Sequence, residues 1–130
     1  MDESGTLDEL DPPAWDPAEQ RDSPMVKRCL ALRATPLAEW DLDDLRLMVG
    51  QQIALPILMP RAIEILLVNP FVEAGNYRGD LLHMFLTVDG SYWHEYPDQW
   101  SEVDSIVHDF MSVYEDISRE VENFRHGIWR

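Results

Sequence analysis

The chain has 130 residues, of which 45% are hydrophobic, and these values fit one globular domain. Its 25 acidic residues far outnumber its 10 lysines and arginines, so the formal net charge is −15. A negative field of that size repels nucleic acid and anionic membranes, so we expect neither as a partner; it favours a cationic partner or high solubility alone. The single cysteine, Cys29, cannot form an internal disulfide, and no signal peptide is recognisable, which together predict a cytoplasmic protein.

The first 23 residues form an acidic leader in which eight acids stand against one base, Arg21, and three prolines oppose helix formation. The leader has few large apolar side chains, and burying them cannot offset the conformational entropy that the segment would lose on ordering. We therefore predict a flexible acidic tail over 1–23 and a helical domain over 24–130. The apolar residues of the leader leave open a docking motif for a basic partner; they are Leu7, Leu10 and Trp15.

Two helices are predicted ahead of residue 51. Ser23 followed by Pro24 is typical of a helix start, and Pro36 closes that element. Asp41 is placed to cap a second helix, because its side-chain oxygen can accept the N–H three positions along the chain. Gly50 is placed to end it. Apolar residues at helical spacing predict the buried faces of both helices: Met25, Cys29, Leu32, Leu42, Leu45, Met48 and Val49.

The segment 54–68 is apolar at almost every position and predicts a central helix that is buried on most sides. Proline lacks the amide hydrogen that an inner helical position needs, so we expect the helix to start near Leu58 or to kink at Pro60. The dipeptide Asn69-Pro70 ends it.

The rest of the chain predicts a loop over 71–79 and three further helices. Asp80 is placed to cap a short helix over 81–88, and 91–96 predicts one helical turn. We expect Leu81, Leu82, Phe85 and Leu86 to face inward. The last element is one long helix whose apolar residues recur at alternating steps of three and four: Trp100, Val103, Val107, Phe110, Tyr114, Ile117, Val121 and Phe124.

No segment alternates in the manner of a strand, so the predicted fold class is all-α, a small irregular bundle of about five to six helices. The long final helix could also form a homodimeric coiled coil. In so short a chain the same apolar stripe is needed to cover the central helix, and we therefore expect a monomer rather than a homodimer.

Residues with catalytic chemistry do not form a known motif. The four histidines are scattered, and neither a His-Glu-x-x-His sequence nor a repeated cysteine is present. Asp80 and His83 lie one turn apart, the ordinary result of a cap followed by a surface histidine. The loop from Gly75 to Gly79 could turn amides toward an anion, but its acidic flanks favour a tight turn. We expect no metal, no cofactor and no catalysis; an enzyme using Asp80, His83 and Tyr77 would need a deep pocket around them.

Acidic residues crowd two predicted helix starts, around Asp43 and Asp44 and around Asp98 and Glu102. The helix dipole alone favours such acids, by about 0.3–1 kcal/mol each. It does not account for the lack of compensating lysines, since a large net charge repels itself and opposes compactness. An acidic interaction face is therefore a second interpretation of these clusters.

The middle of the chain, from about Pro36 to Leu86, resembles a known protein family. The residues concerned are DLRLMVGQQIALP at 44–56, RAIE at 61–64 and NPFVEAGNYRGDLL at 69–82. This order of glycine, proline and aspartate positions resembles the contact-dependent growth inhibition (CDI) immunity proteins, small helical bacterial proteins that neutralise polymorphic toxin domains. In this chain Gly75 stands two residues before Tyr77, a slight departure from the family spacing.

The resemblance implies a stoichiometric inhibitor of a cognate toxin domain and not an enzyme. Many such toxins are nucleases, which are basic because they bind phosphates, and an acidic partner would be steered to them. The alternative is a helical adaptor or regulatory subunit that docks through the final helix, and a dimer through Val107 and Tyr114 would favour it. The candidate toxin-binding residues are Asp43, Asp44, Glu73, Tyr77, Asp80, Asp98 and Glu102.

Overall fold

A computed structural model describes residues 3–127, and within them the protein is all-α, as predicted. These residues form no strand; an isolated antiparallel bridge joins Glu73 and Arg78. No helix in this range has both the length and the apolar composition needed to cross a membrane. The first two residues of the predicted tail and the last three of the predicted domain lie outside the described range. The helices are α1 (Leu7–Leu10), α2 (Pro24–Arg33), α3 (Leu42–Gly50), α4 (Leu55–Val68), α5 (Asp80–Leu86), α6 (Gly90–Glu95) and α7 (Pro97–Gly127), with a 3₁₀ turn at Leu37–Glu39.

Side-chain caps account for the predicted starts of α2 and α3. Ser23 Oγ accepts a hydrogen bond from the N–H of Val26 at 3.2 Å. Asp41 accepts from the N–H of Asp44 at 2.8 Å, and the Asp44 carboxylate accepts in return from the N–H of Asp41 at 3.0 Å. This reciprocal pair satisfies two of the N–H groups that a helix start otherwise leaves without partners. Helix α3 ends at Gly50, as predicted.

The central helix α4 begins earlier than predicted. It starts at Leu55, directly after the left-handed residue Ala54, and Pro60 lies inside it, so the expected start near Leu58 is wrong. Pro56 falls in the first turn, where no amide hydrogen is required. Pro60 is exposed, so water can reach the carbonyl that it leaves without a donor.

The core lies between α3, α4, α5 and the first half of α7. Cys29 is buried as predicted, and burial raises the pKa of its thiol. Leu86 was expected to face inward but is 58% exposed, because α5 ends at this residue and Val88 turns into the core instead. The most deeply buried core side chains are Leu7, Met48, Val49, Met59, Ala62, Leu66, Leu81 and Phe85.

The N-terminal segment is less detached from the domain than its composition predicts. Leu7 of α1 is fully buried, and the buried Arg33 of α2 pairs with Asp8 at 3.0 Å and Asp11 at 3.1 Å. Glu3 pairs with Arg61 of α4. These contacts contribute the favourable free energy that offsets the entropy lost when the segment becomes ordered. Residues 12–22 form no helix and are almost entirely exposed, but even there the ring of Trp15 contacts Arg33.

Helix α7 is the single long helix predicted, but only its first half packs against the core. Val103 and Ile106 are buried and Phe110 is half-buried, whereas the apolar residues from Val113 to Phe124 are exposed. The reason is length, since α7 has 31 residues and α4 has 14. At about 1.5 Å per residue, α4 covers only about 21 Å of the roughly 46 Å of α7. The expectation that the whole stripe covers the central helix therefore holds only to about residue 110.

Candidate functional site

Asp80 organises the loop that precedes α5. Its carboxylate accepts hydrogen bonds from the N–H groups of Ala74 at 2.7 Å, Asn76 at 2.9 Å and Tyr77 at 3.4 Å. Burial alone would raise the pKa of this carboxyl, but the backbone N–H groups outweigh burial and hold the pKa below its ordinary value. Gly79, with a φ of 86°, takes the N-cap position expected for Asp80. Asp80 is only 1% exposed, so its carboxylate holds the loop in place and does not form part of the surface.

Asp43 and Asp44, at the start of α3, are already engaged in ion pairs. Arg28 of α2 places Nη2 at 2.9 Å from a carboxylate oxygen of each, and Arg46 places Nη2 at 2.6 Å from Asp43 Oδ1. The hydrogen bond from Arg46, reinforced by Arg28, holds the pKa of the Asp43 carboxyl below its ordinary value against the effect of burial. Through their ion pairs with Arg28, these two carboxylates join α2 to α3.

The loop and the start of α3 lie against each other. Arg46 Nε lies 3.9 Å from Asp80 Oδ2, and a Cβ added at Gly75 would lie 2.7 Å from Asp43 Oδ1. Within this loop Glu73 and Tyr77 have exposed side chains, and the Tyr77 hydroxyl hydrogen-bonds Nδ1 of His83. The structure thus brings one group of the predicted residues together: Asp43, Asp44, Glu73, Tyr77 and Asp80.

Asp98 and Glu102 belong to a second region. They lie in the first two turns of α7, are exposed, and form no ion pair within residues 3–127. Helix α7 packs against α4 and α6, whereas Gly75 and Asp80 lie against Asp43 and Arg46 of α3. The predicted site residues therefore divide between two surfaces rather than forming one.

An apolar groove between the end of α4 and the middle of α7 was missed by the sequence analysis. Its volume is about 520 Å³, and its lining includes Leu67, Phe71 and Ile117. The ring of Phe71 meets that of Phe110 edge-on, with the centroids 5.3 Å apart. Only the unequal lengths of the two apolar segments, 54–68 and the stripe over 100–124, could have indicated in advance that part of the stripe stays uncovered.

Chemical groups that could hold a ligand are already committed within the loop. The N–H groups of Ala74, Asn76 and Tyr77, which an anion would need, point at the carboxylate of Asp80. Tyr77 and His83 lie at the surface while Asp80 is buried, so the three do not line a common cavity. Among residues 3–127 no group of three His, Cys, Asp or Glu side chains is arranged to bind a metal ion.

Comparison with known proteins identifies the family. The family model described as CDI immunity proteins matches residues 9–103, which is more than half of the chain. No curated protein and no solved structure matches the chain significantly. The match extends from Glu9, within α1, to the buried Val103 of α7, and so includes all of α2 to α6 and the first turns of α7. The chain therefore belongs to the family of CDI immunity proteins.

Proposed function

We propose that this protein neutralises a basic toxin domain, such as a nuclease, by forming a stoichiometric complex with it in the cytoplasm. Membership of the CDI immunity family supports the neutralising role. The net charge of −15 supports a basic partner. In this proposal the protein acts by binding alone, as a monomer, and carries out no catalysis of its own.

Several carboxylates form no internal ion pair among the described residues, and this unpaired charge also supports a basic partner. Asp98, Glu102 and Asp104 are exposed near the start of α7 and form no ion pair within residues 3–127. A helix dipole accounts for one or two acids in the first turn, but its effect fades beyond that turn. Exposed carboxylates without an ion-pair partner attract a cationic surface from a distance and raise the rate of encounter.

The predicted residues take different parts in this function. The exposed side chains Glu73 and Tyr77 in the loop, and Asp98 and Glu102 on α7, are the proposed contacts with the toxin domain. The three others support these contacts through internal bonds. Asp80 holds the loop, and Asp43 and Asp44 join α2 to α3. Binding residues concentrate in loops that a rigid scaffold holds in place, and this favours Glu73 and Tyr77 as contacts.

A growth and binding experiment tests this function. The adjoining reading frame is expected to encode a large secreted protein with a C-terminal toxin domain, and that domain is co-expressed with this chain. We expect restored growth, a one-to-one complex by light scattering, and loss of toxin activity at equimolar ratio. A toxin domain that keeps full activity in excess of this protein contradicts the proposal.

The alternative is a helical adaptor that docks through α7, and the exposed second half of that helix is the observation that favours it. Val107 is half-buried against the core, so a coiled coil would have to use residues from Val113 onward. Sedimentation equilibrium separates the two functions. A concentration-dependent dimer favours the adaptor, and a monomer that binds the toxin domain favours the immunity protein.

A further inference from the structure

The groove between α4 and α7 is an apolar surface that no other element within residues 3–127 covers. Leu67 of α4 is 62% exposed, and Tyr114 and Ile117 of α7 are 63% and 57% exposed. The Phe71–Phe110 pair forms part of the lining between them. A contiguous apolar face of this kind on a soluble domain marks an interaction site, because isolated exposed apolar residues would not converge on one cavity.

Acidic residues run along one side of this groove. Glu102, Asp109 and Asp116 recur every seven residues and therefore lie on the same side of α7. Asp109 lines the groove itself, and the three carboxylates extend over about 21 Å of the helix. Asp116 pairs with Arg119, but both side chains are more than two-thirds exposed, so solvent screens the pair.

The charge of the groove decides between the possible occupants. A second copy would bring its own −15 and the same row of acids to this surface, and anionic lipid would also be repelled. A cationic segment is attracted instead. The groove lies beside two helices, a place in which a third helix packs naturally, with apolar residues at steps of three and four filling the cavity.

We propose that this groove holds an amphipathic helix of the toxin domain, with its apolar face against Leu67 and Ile117. Its lysines or arginines then lie along the row formed by Glu102, Asp109 and Asp116. This inference rests on the proposed function, because it takes the toxin domain as the partner. It also assigns a role to the second half of α7, which the core does not need.

Apolar variants test the groove directly. Leu67→Gln and Ile117→Gln each replace an exposed side chain, so the fold is expected to remain intact. We expect each to weaken the binding of the toxin domain at least about tenfold by calorimetry. Phe124→Gln is the matched control, because Phe124 is an exposed apolar residue of the same helix but does not line the groove. It is expected to bind the toxin domain as the wild type does.

Charge variants test the acidic side. Asp109→Asn with Asp116→Asn removes two charges beside the groove, and Glu115→Gln with Glu122→Gln removes two charges, also seven residues apart, on another side of α7. We expect the first pair to slow association with the toxin domain several-fold at low ionic strength. The second pair is expected to leave the rate much closer to that of the wild type.

A synthetic probe separates the groove from the toxin. The probe is a labelled peptide of leucine and lysine, about five helical turns long, with leucines at i, i+3, i+4 and i+7. By fluorescence anisotropy we expect it to bind the wild type, to bind Leu67→Gln and Ile117→Gln at least about tenfold more weakly, and to bind Phe124→Gln normally. A leucine–glutamate peptide of the same pattern is expected not to bind.

The outcomes distinguish the groove from the proposed function. If the wild type protects cells but Leu67→Gln and Ile117→Gln bind the toxin domain and the peptide normally, the groove inference is overturned and the function stands. If the wild type gives no protection, the proposed function and the toxin as occupant both fail; selective loss of peptide binding would still support the groove as a site for a cationic amphipathic helix. A wild-type dimer that Ile117→Gln dissociates makes a second copy the occupant and overturns the inference.

Discussion

The guanidinium of Arg33 is completely buried, and its Nε donates a hydrogen bond to Oδ1 of Asp8 at 3.0 Å. The same group donates to the Asp11 carboxylate at 3.1 Å and to the Asp11 carbonyl at 2.8 Å. The ring of Trp15 lies 4.3 Å from the guanidinium carbon. A planar group with five N–H donors can satisfy several acceptors at once, so one α2 residue holds much of the N-terminal segment.

Replacing Arg33 is expected to destabilise the protein. Arg33→Met keeps the apolar stem but removes the guanidinium that donates to Asp8 and Asp11, and we expect the free energy of unfolding to fall by about 2 kcal/mol. The loss stays below that of a fully buried pair, because both carboxylates are partly exposed and can be hydrated. Urea unfolding measures the change.

The matched control for this prediction is Arg119→Met. Arg119 also pairs with an aspartate, Asp116, but at the surface of α7, where an ion pair contributes at most about 0.5 kcal/mol. Equal urea midpoints for the two variants would show that the Arg33 contacts do not stabilise the fold.

Asp80 is expected to make stability depend on pH. Because its folded pKa lies below the ordinary 3.8, the unfolded chain takes up the proton more readily. The contribution of Asp80 is therefore complete above about pH 4 and is lost as the pH falls through the folded value. Asp43, whose pKa is also lowered, adds to the loss in the same range.

The variant Asp80→Asn tests this dependence. At neutral pH we expect it to lose about 2 kcal/mol of unfolding free energy, because an amide cannot accept from all the loop N–H groups. Below pH 4 its stability should fall less steeply than that of the wild type in urea titrations at several pH values. Asp104→Asn, an exposed control on α7, is expected to keep the wild-type stability at neutral pH. Parallel acid profiles for the wild type and Asp80→Asn would disprove the assignment.

Gly75 is expected to tolerate no side chain. Its φ of +127° is strained for any other residue, and a methyl group would lie 2.7 Å from Asp43 Oδ1. We expect Gly75→Ala to lower the unfolding free energy by about 2 kcal/mol and to disturb the Asp43–Arg46 pair. Gly90→Ala is the control, since nothing lies within 4 Å of its added Cβ and the residue is helical. It should be neutral or stabilise by up to about 1 kcal/mol, and thermal unfolding of the two variants and the wild type measures both changes.

Charge reversal at the start of α7 is expected to slow toxin binding. Asp98→Lys with Glu102→Lys changes two exposed carboxylates and should lower the association rate about tenfold at low ionic strength, with a weaker dependence on salt. Stopped-flow mixing with the toxin domain measures both. The same reversal at Asp43 and Asp44 is less informative, because it would break their pairs with Arg28 and destabilise the fold.

The control for the charge reversal is Glu115→Lys with Glu122→Lys, which changes the net charge equally on the exposed half of α7. If this control slows association as much as the Asp98 and Glu102 pair, the charge of the whole chain steers the encounter and these two residues are not a preferred contact.

Local interactions explain why so much of the fold could be predicted. The cap at Ser23, the capping box of Asp41 with Asp44, and the stop before Asn69-Pro70 each involve residues within four positions of one another. Their geometry is contained in the sequence, whatever the rest of the chain does. The family resemblance over Pro36 to Leu86 rests on the same kind of residue, and the family match to residues 9–103 confirms it.

The sequence by itself therefore determined the helical class, most helix boundaries, the excess of negative charge and the family. Only the tertiary structure decided which side chains are free to act. Asp80 became buried because a loop wraps around it, Arg33 because an acidic leader folds over it, and Ile117 stayed exposed because α4 ends too soon to cover it. Burial depends on which element from elsewhere in the chain packs against a residue, and the local sequence pattern does not specify such long-range contacts.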